Sequence, residues 1–123
     1  MLYFLLVGIG GALGATTRYL IDQISVSHLG SSIAGTFIVN ISGSFILGLL
    51  IGFLSSHTAW PEEIKVFLSV GFISSFTTFS TLSVATIQMF EKGDMSGAAV
   101  NLIGSIIVGL LAAVSGILLG RII

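Results

Sequence analysis

Between Ile73 and Leu82 the chain runs Ser74, Ser75, Phe76, Thr77, Thr78, Phe79, Ser80, Thr81, so six of eight consecutive residues carry a hydroxyl and the other two are Phe. A hydroxyl donates a hydrogen bond to an anion without bearing a charge. A phenyl ring has a negative face and a positive edge, so it accepts an anion edge-on and repels it from the face. If the backbone breaks within this run, the freed carbonyls become oxygen ligands for a hard cation such as Na+. The alternative is that each Ser and Thr bonds back to a carbonyl one turn earlier while Phe76 and Phe79 simply pack. The density of hydroxyls favours the ligand-facing reading.

Two other rows of polar residues keep helical spacing. Thr36, Asn40, Ser44, Gly48 and Gly52 recur every four residues, as do Gly97, Asn101, Ser105 and Gly109, which places each set on one helix face. Such rows serve either as polar glue between helices, worth about 1 kcal/mol per contact, or as the wall of a hydrated, anion-lined path. Gly10 and Gly14, Gly48 and Gly52, and Gly116 and Gly120 are small-xxx-small pairs that let helix backbones approach. Gly8, Gly10, Gly11 and Gly14 imitate a dinucleotide fingerprint, but no strand precedes them.

The elements that must position these groups are membrane helices. Apolar runs span Leu2 to Ile21, Ser32 to Leu54, Ile64 to Phe90 and Gly97 to Arg121, each near or above the roughly 20 residues that cross a bilayer. Polar residues Asp22, Gln23, Ser25, Ser27 and His28 separate the first pair. Ser55, Ser56, His57, Trp60, Pro61, Glu62 and Glu63 fill the second gap, and Glu91, Lys92, Gly93 and Asp94 form the third turn. Trp60 reads as an interfacial anchor, and Pro61 with two acids behind it as a helix start. The third run is long enough to tolerate a break and still reach both interfaces. The first lacks a basic segment before it and is read as a retained helix rather than a cleaved signal. The expectation is one all-α membrane domain over residues 1–123, with four transmembrane helices and the third broken at mid-membrane depth.

Composition narrows the function. Of 123 residues 54% are hydrophobic and 7% charged, against about 25% charged in soluble domains. Four Lys and Arg oppose five Asp and Glu, leaving no basic surface for nucleic acid. The absence of Cys and the separation of the two His argue against thiolate, iron–sulfur and zinc chemistry. No nucleophile, base and metal set supports an enzyme. Asp22, Glu62, Glu63, Glu91 and Asp94 all fall at span ends or in loops, so a proton-coupled multidrug antiporter would lack its intramembrane carboxylate. Lys65 and Arg121 fall on one side of the membrane and Arg18 and Lys92 on the other. That even split permits insertion in both orientations and antiparallel self-pairing, or a weak bias settled by a partner or by the insertion machinery. Arg18 either snorkels or draws anions to a vestibule.

The segments Gly10-Gly11-Ala12-Leu13-Gly14 with Arg18 and Tyr19, Gly35-Thr36-Phe37-Ile38-Val39-Asn40, Thr77-Thr78-Phe79-Ser80-Thr81 and Asn101-Leu102-Ile103-Gly104-Ser105 resemble the CrcB/Fluc fluoride channels across all four spans. The resemblance implies an antiparallel, dual-topology dimer in the cell membrane, with two fluoride pathways and a structural Na+ on the two-fold axis. It implies that backbone carbonyls of Ser74 and Thr77 from both subunits hold Na+, and that Asn40 donates to fluoride while Phe79 offers its ring edge. Ser80, Thr81 and Ser83 would line the polar track, Asn101 and Ser105 would contribute from the fourth helix, and Arg18 would stand at a vestibule. Passive export follows: hydrogen fluoride leaks in, ionises in the more alkaline cytoplasm, and the anion leaves through the channel, relieving fluoride toxicity.

Two departures carry expectations of their own. Ser74 and Ser75 replace the usual Gly-Gly pair, which predicts a less free backbone at the Na+ site. Leu82 replaces a usual second Phe, which removes one ring edge. Some family members work as paired unequal subunits, so a heterodimer stands beside the homodimer, with a small multidrug-type transporter and a non-transporting scaffold as more distant readings.

Overall fold

The computed structural model describes residues 1–57 and 59–123. Helix α1 covers Leu2–Leu29 and α2 covers Ser32–Ser56. The third span is two helices, α3 over 62–76 and α4 over Phe79–Glu91, and α5 covers Met95–Ile122. All four spans are long and apolar enough to cross a membrane, and the described residues contain no strand.

Local chemistry sets the boundaries. Helix α1 does not stop where its apolar run ends at Ile21 but continues through Asp22, Gln23, Ser25, Ser27 and His28, because none of these breaks a helix. The stop is Gly30, at φ 67°, whose N–H closes on the Val26 carbonyl. Ser31 caps α2 by accepting from the Ala34 N–H at 3.3 Å. Pro61 precedes the first turn of α3, where Lys65 pairs with Glu62 at 3.3 Å. Trp60 and Phe53 meet in a T-shaped pair with ring centroids 5.6 Å apart. Gly93, at φ 83°, turns the chain after α4, and the Asp94 carboxylate caps α5 by accepting from the Gly97 N–H at 2.9 Å.

Glycine governs the packing. A Cβ on Gly48 or Gly52 would strike the Ala113 or Ile117 carbonyl of α5, and one on Gly116 or Gly120 would strike the Phe45 or Leu49 carbonyl of α2. These pairings rise together along both helices, so α2 and α5 are parallel. Gly10 and Gly14 meet Phe67, Gly71 and Phe72 in the same sense, making α1 parallel to α3. The region Val66–Ile73 of α3 is π-helical, and the Ser74 N–H bonds the Ser69 carbonyl five residues back. This wider winding precedes the point where the span breaks.

Candidate functional site

The break is at Thr77 and Thr78. Both are extended, with φ −80°, ψ 158° and φ −152°, ψ 114°, whereas Phe76 ends one helix and Phe79 begins the next. Asn40 from α2 holds this backbone by a reciprocal pair of hydrogen bonds. Its Nδ2 donates to the Thr78 carbonyl at 3.0 Å, and its Oδ1 accepts from the Thr78 N–H at 2.7 Å. The Asn40 side chain thus satisfies, at mid-span, two groups that a continuous helix would have paired internally.

Diverting the Thr78 N–H to Asn40 has a consequence one turn back. Among the described residues, no backbone N–H reaches the carbonyls of Ser74 or Thr77. These oxygens stand at the C-terminal end of α3, where the helix dipole is negative, and as hard, uncharged donors they are the kind of ligand an alkali cation takes. The Ser74-Ser75 pair does not disturb this arrangement. Ser74 lies at φ −64°, ψ −31°, and no residue other than glycine has a positive φ, so the freedom of a Gly-Gly pair is not required.

The other side of the break is donor-rich. Helix α4 presents its positive N-terminal end, and the Thr78 hydroxyl caps it by accepting from the Thr81 N–H at 3.3 Å. Thr78 Oγ1 also lies 3.0 Å from Thr81 Oγ1 and 3.3 Å from Ser80 Oγ. The hydroxyls therefore divide. Ser74 and Thr77 bond back to the Ser69 and Ile73 carbonyls, as ordinary helical Ser and Thr do, while Thr78, Ser80 and Thr81 form a local cluster.

Four recesses surround the break. Two open toward the α1–α2 turn. One, of about 300 Å³, is lined by Arg18, Tyr19, Asp22, Ser32, Thr36 and Thr81 among others; its neighbour, of about 410 Å³, shares Ser32, Thr36 and Thr81 and adds Ser80, Gln88 and Lys92. The other two lie deeper in the membrane direction, nearer the middle of the spans. One, of about 220 Å³, joins Asn40, Ser44, Thr77, Phe79 and Leu82. The next, of about 310 Å³, joins Asn40, Ser44, Phe79, Leu82, Ser105 and Gly109. Ser105 is buried there and its Oγ has no hydrogen-bond partner among the described residues, an expense tolerated where a ligand or water completes the set. Phe79 is 73% exposed. Leu82 is 5% exposed and fills the floor between the deeper recesses.

The residues singled out in the sequence are thus partly brought together. Arg18 and Thr81 share one outer recess, Ser80 and Thr81 the other, and Asn40, Phe79 and Ser105 share the deepest. Ser83 and Asn101 stand apart: Ser83 donates to the Phe79 carbonyl at 2.9 Å, and Asn101 Nδ2 donates to Thr86 Oγ1 at 3.0 Å. Polar lining residues absent from the sequence-derived set include Ser32, Thr36, Ser44, Thr78 and Gln88. Thr36 and Ser44 belong to the four-residue row of Asn40, and Thr81, Ala85 and Gln88 keep helical spacing along one face of α4, with Lys92 just past its end, so both signals are present in the sequence. The row on α2 serves two purposes at different depths. Gly48 and Gly52 seat α5, whereas Thr36, Asn40 and Ser44 face the recesses.

Comparison with known proteins supplies the family. The family described as CrcB-like protein, Camphor Resistance (CrcB), matches residues 5–117. A fluoride-specific ion channel FluC of Magnetococcus marinus is 39% identical over 118 residues, covering 95% of this chain and 96% of that protein. The FluC of Nitrobacter winogradskyi is 36% identical over 122 residues, covering 98% and 97%. That of Dehalococcoides mccartyi is 39% identical over 120 residues, covering 97% and 92%. Since the match enters all four spans, including the Asn40-clamped break, this multi-pass membrane protein belongs to the CrcB family.

Proposed function

We propose that two copies of this chain, inserted in opposite orientations, form a fluoride-selective channel that exports cytoplasmic fluoride passively. The observation that carries the reading is the broken third span. Asn40 fixes an extended Thr77-Thr78 segment between a helix end rich in free carbonyls and a helix start rich in free donors. The FluC names of relatives matched over nearly their full length supply the ion.

In this reading the anion enters past Arg18, whose charge raises its local concentration. Thr81, Ser80 and Thr78 hydroxyls then replace part of its hydration shell without binding it as tightly as a fixed charge does. At the deepest recess it meets the edge of Phe79, the remaining Nδ2 proton of Asn40 and the unpartnered hydroxyl of Ser105. Ser83 and Asn101, engaged with Phe79 and Thr86, steady α4 rather than contact the ion.

Pairing is supported by the same surface. Phe79 is largely uncovered beside recesses carrying polar groups that lipid tails cannot satisfy, and a second copy covers them with complementary groups. The carbonyl oxygens of Ser74 and Thr77 from both copies are then the donors for Na+, four in all, which supplies a fixed positive charge beside the break. The even division of Arg18 and Lys92 against Lys65 and Arg121 supports opposite insertion. Leu82 leaves each pathway with Phe79 as the ring contributed by α4 at this depth.

The test in cells uses a bacterium stripped of its own fluoride export. Expression of this chain alone restores growth in millimolar fluoride, and Asn40→Asp abolishes the rescue. Failure of the wild-type chain, correctly inserted, rejects a self-sufficient homodimer.

A further inference from the structure

Arg18 and Asp22 occupy positions four apart on one helix, the spacing at which opposite charges ordinarily pair. They line the same recess, yet among the described residues the only ion pair is Lys65 with Glu62. The Asp22 carboxylate is instead engaged from across the α1–α2 turn. Ser32 Oγ donates to Asp22 Oδ1 at 2.5 Å, a short bond of the charge-assisted kind. Close packing of Gly35 against the Asp22 backbone and carboxylate, with nearest approaches of 3.0 Å for a Cβ placed there, keeps the two helices in the register this bond needs.

The geometry points to Ser32 as a positioning residue: by holding the Asp22 carboxylate, it prevents the Arg18–Asp22 pair and leaves the Arg18 guanidinium available to an entering anion. Lys92 lines the adjoining recess and is the other cation near this mouth. Without the Ser32 bond the carboxylate swings toward Arg18 and occupies the guanidinium donors that the anion would otherwise meet. The inference rests on the proposed anion pathway for its purpose, but not for its geometry.

Ser32 is exposed and is the first residue of α2, where Ala is accommodated, while the cap is made by Ser31. In liposomes, Ser32→Ala raises the fluoride concentration giving half-maximal efflux roughly two- to fivefold, the range an ion pair at a wet surface supports. Saturating efflux changes little, Ser32→Thr behaves as wild type, and Asp22→Asn introduced into Ser32→Ala restores the half-maximal concentration. A loss caused merely by a disturbed helix start would not be rescued by a change at Asp22. A second readout needs no flux: labelling of Arg18 by phenylglyoxal, quantified by mass spectrometry against Arg121 in the same protein, falls in Ser32→Ala and recovers in the double variant. Unchanged Arg18 labelling in Ser32→Ala, or a loss that Asp22→Asn does not reverse, overturns the inference even if the wild type carries fluoride. Conversely, a wild type without fluoride efflux rejects the channel reading, and the labelling contrast still supports the Ser32–Asp22 device.

Discussion

Asn40 makes two demands on its amide that no other side chain of similar size meets. It accepts from the Thr78 N–H and donates to the Thr78 carbonyl, so Asn40→Asp keeps the acceptor but sets a carboxylate oxygen against a carbonyl at mid-span. Fluoride efflux through Asn40→Asp is expected to fall by about 100-fold or more, equivalent to roughly 2.7 kcal/mol on the barrier; a fluoride electrode reads it, and wild-type flux would remove Asn40 from the pathway. Ser105 makes the opposite case. Its buried hydroxyl has no partner among the described residues, so Ser105→Ala should leave thermal stability unchanged or raise it by about 1 kcal/mol, while lowering efflux; equal flux would assign the hydroxyl no role. The sequence singled out Asn40 by its place in a four-residue row, but not the Thr78 backbone as what it holds. That contact spans helices 38 residues apart, and periodicity within one helix carries no information about it.

At the scale of the elements, the break in the third span was legible from the hydroxyl run and the surplus length. The π-helical turn before it was not, because the winding answers to the close passage of α1 past Gly71 and to the Ser69 carbonyl, which accepts from both the N–H and the hydroxyl of Ser74. The continuation of α1 to Leu29 was likewise hidden, since polar residues end an apolar run without ending a helix. Packing was the most legible feature. Gly48, Gly52, Gly116 and Gly120 meet opposing backbone, whereas a Cβ on Gly104 meets nothing within 4 Å. Gly48→Leu should therefore destabilise the protein by about 3 kcal/mol, the scale of an overpacked core, whereas Gly104→Ala should stay within about 0.5 kcal/mol. Thermal unfolding in detergent separates the two; comparable melting temperatures would contradict the α2–α5 contact.

For the whole molecule, the proposed pair makes each chain one half of an enclosure. The four recesses around the break open outward, and Phe79 is uncovered at the depth of the deepest. The proposed antiparallel pair predicts that a reporter fused to the C-terminus gives signal from both sides of the membrane; signal from one side alone would contradict opposite insertion. In the sequence the proposed pairing rests only on an even split of four bases, a weak signal because so few charges are present to bias insertion. The proposed self-sufficient homodimer carries fluoride without a second gene product. The direct measurement is ion efflux from liposomes reconstituted with the purified protein alone, followed with fluoride and chloride electrodes. Rapid fluoride release with chloride retained is the expected result; fluoride held as firmly as chloride, in vesicles containing folded dimer, would rule out the proposed homodimeric channel.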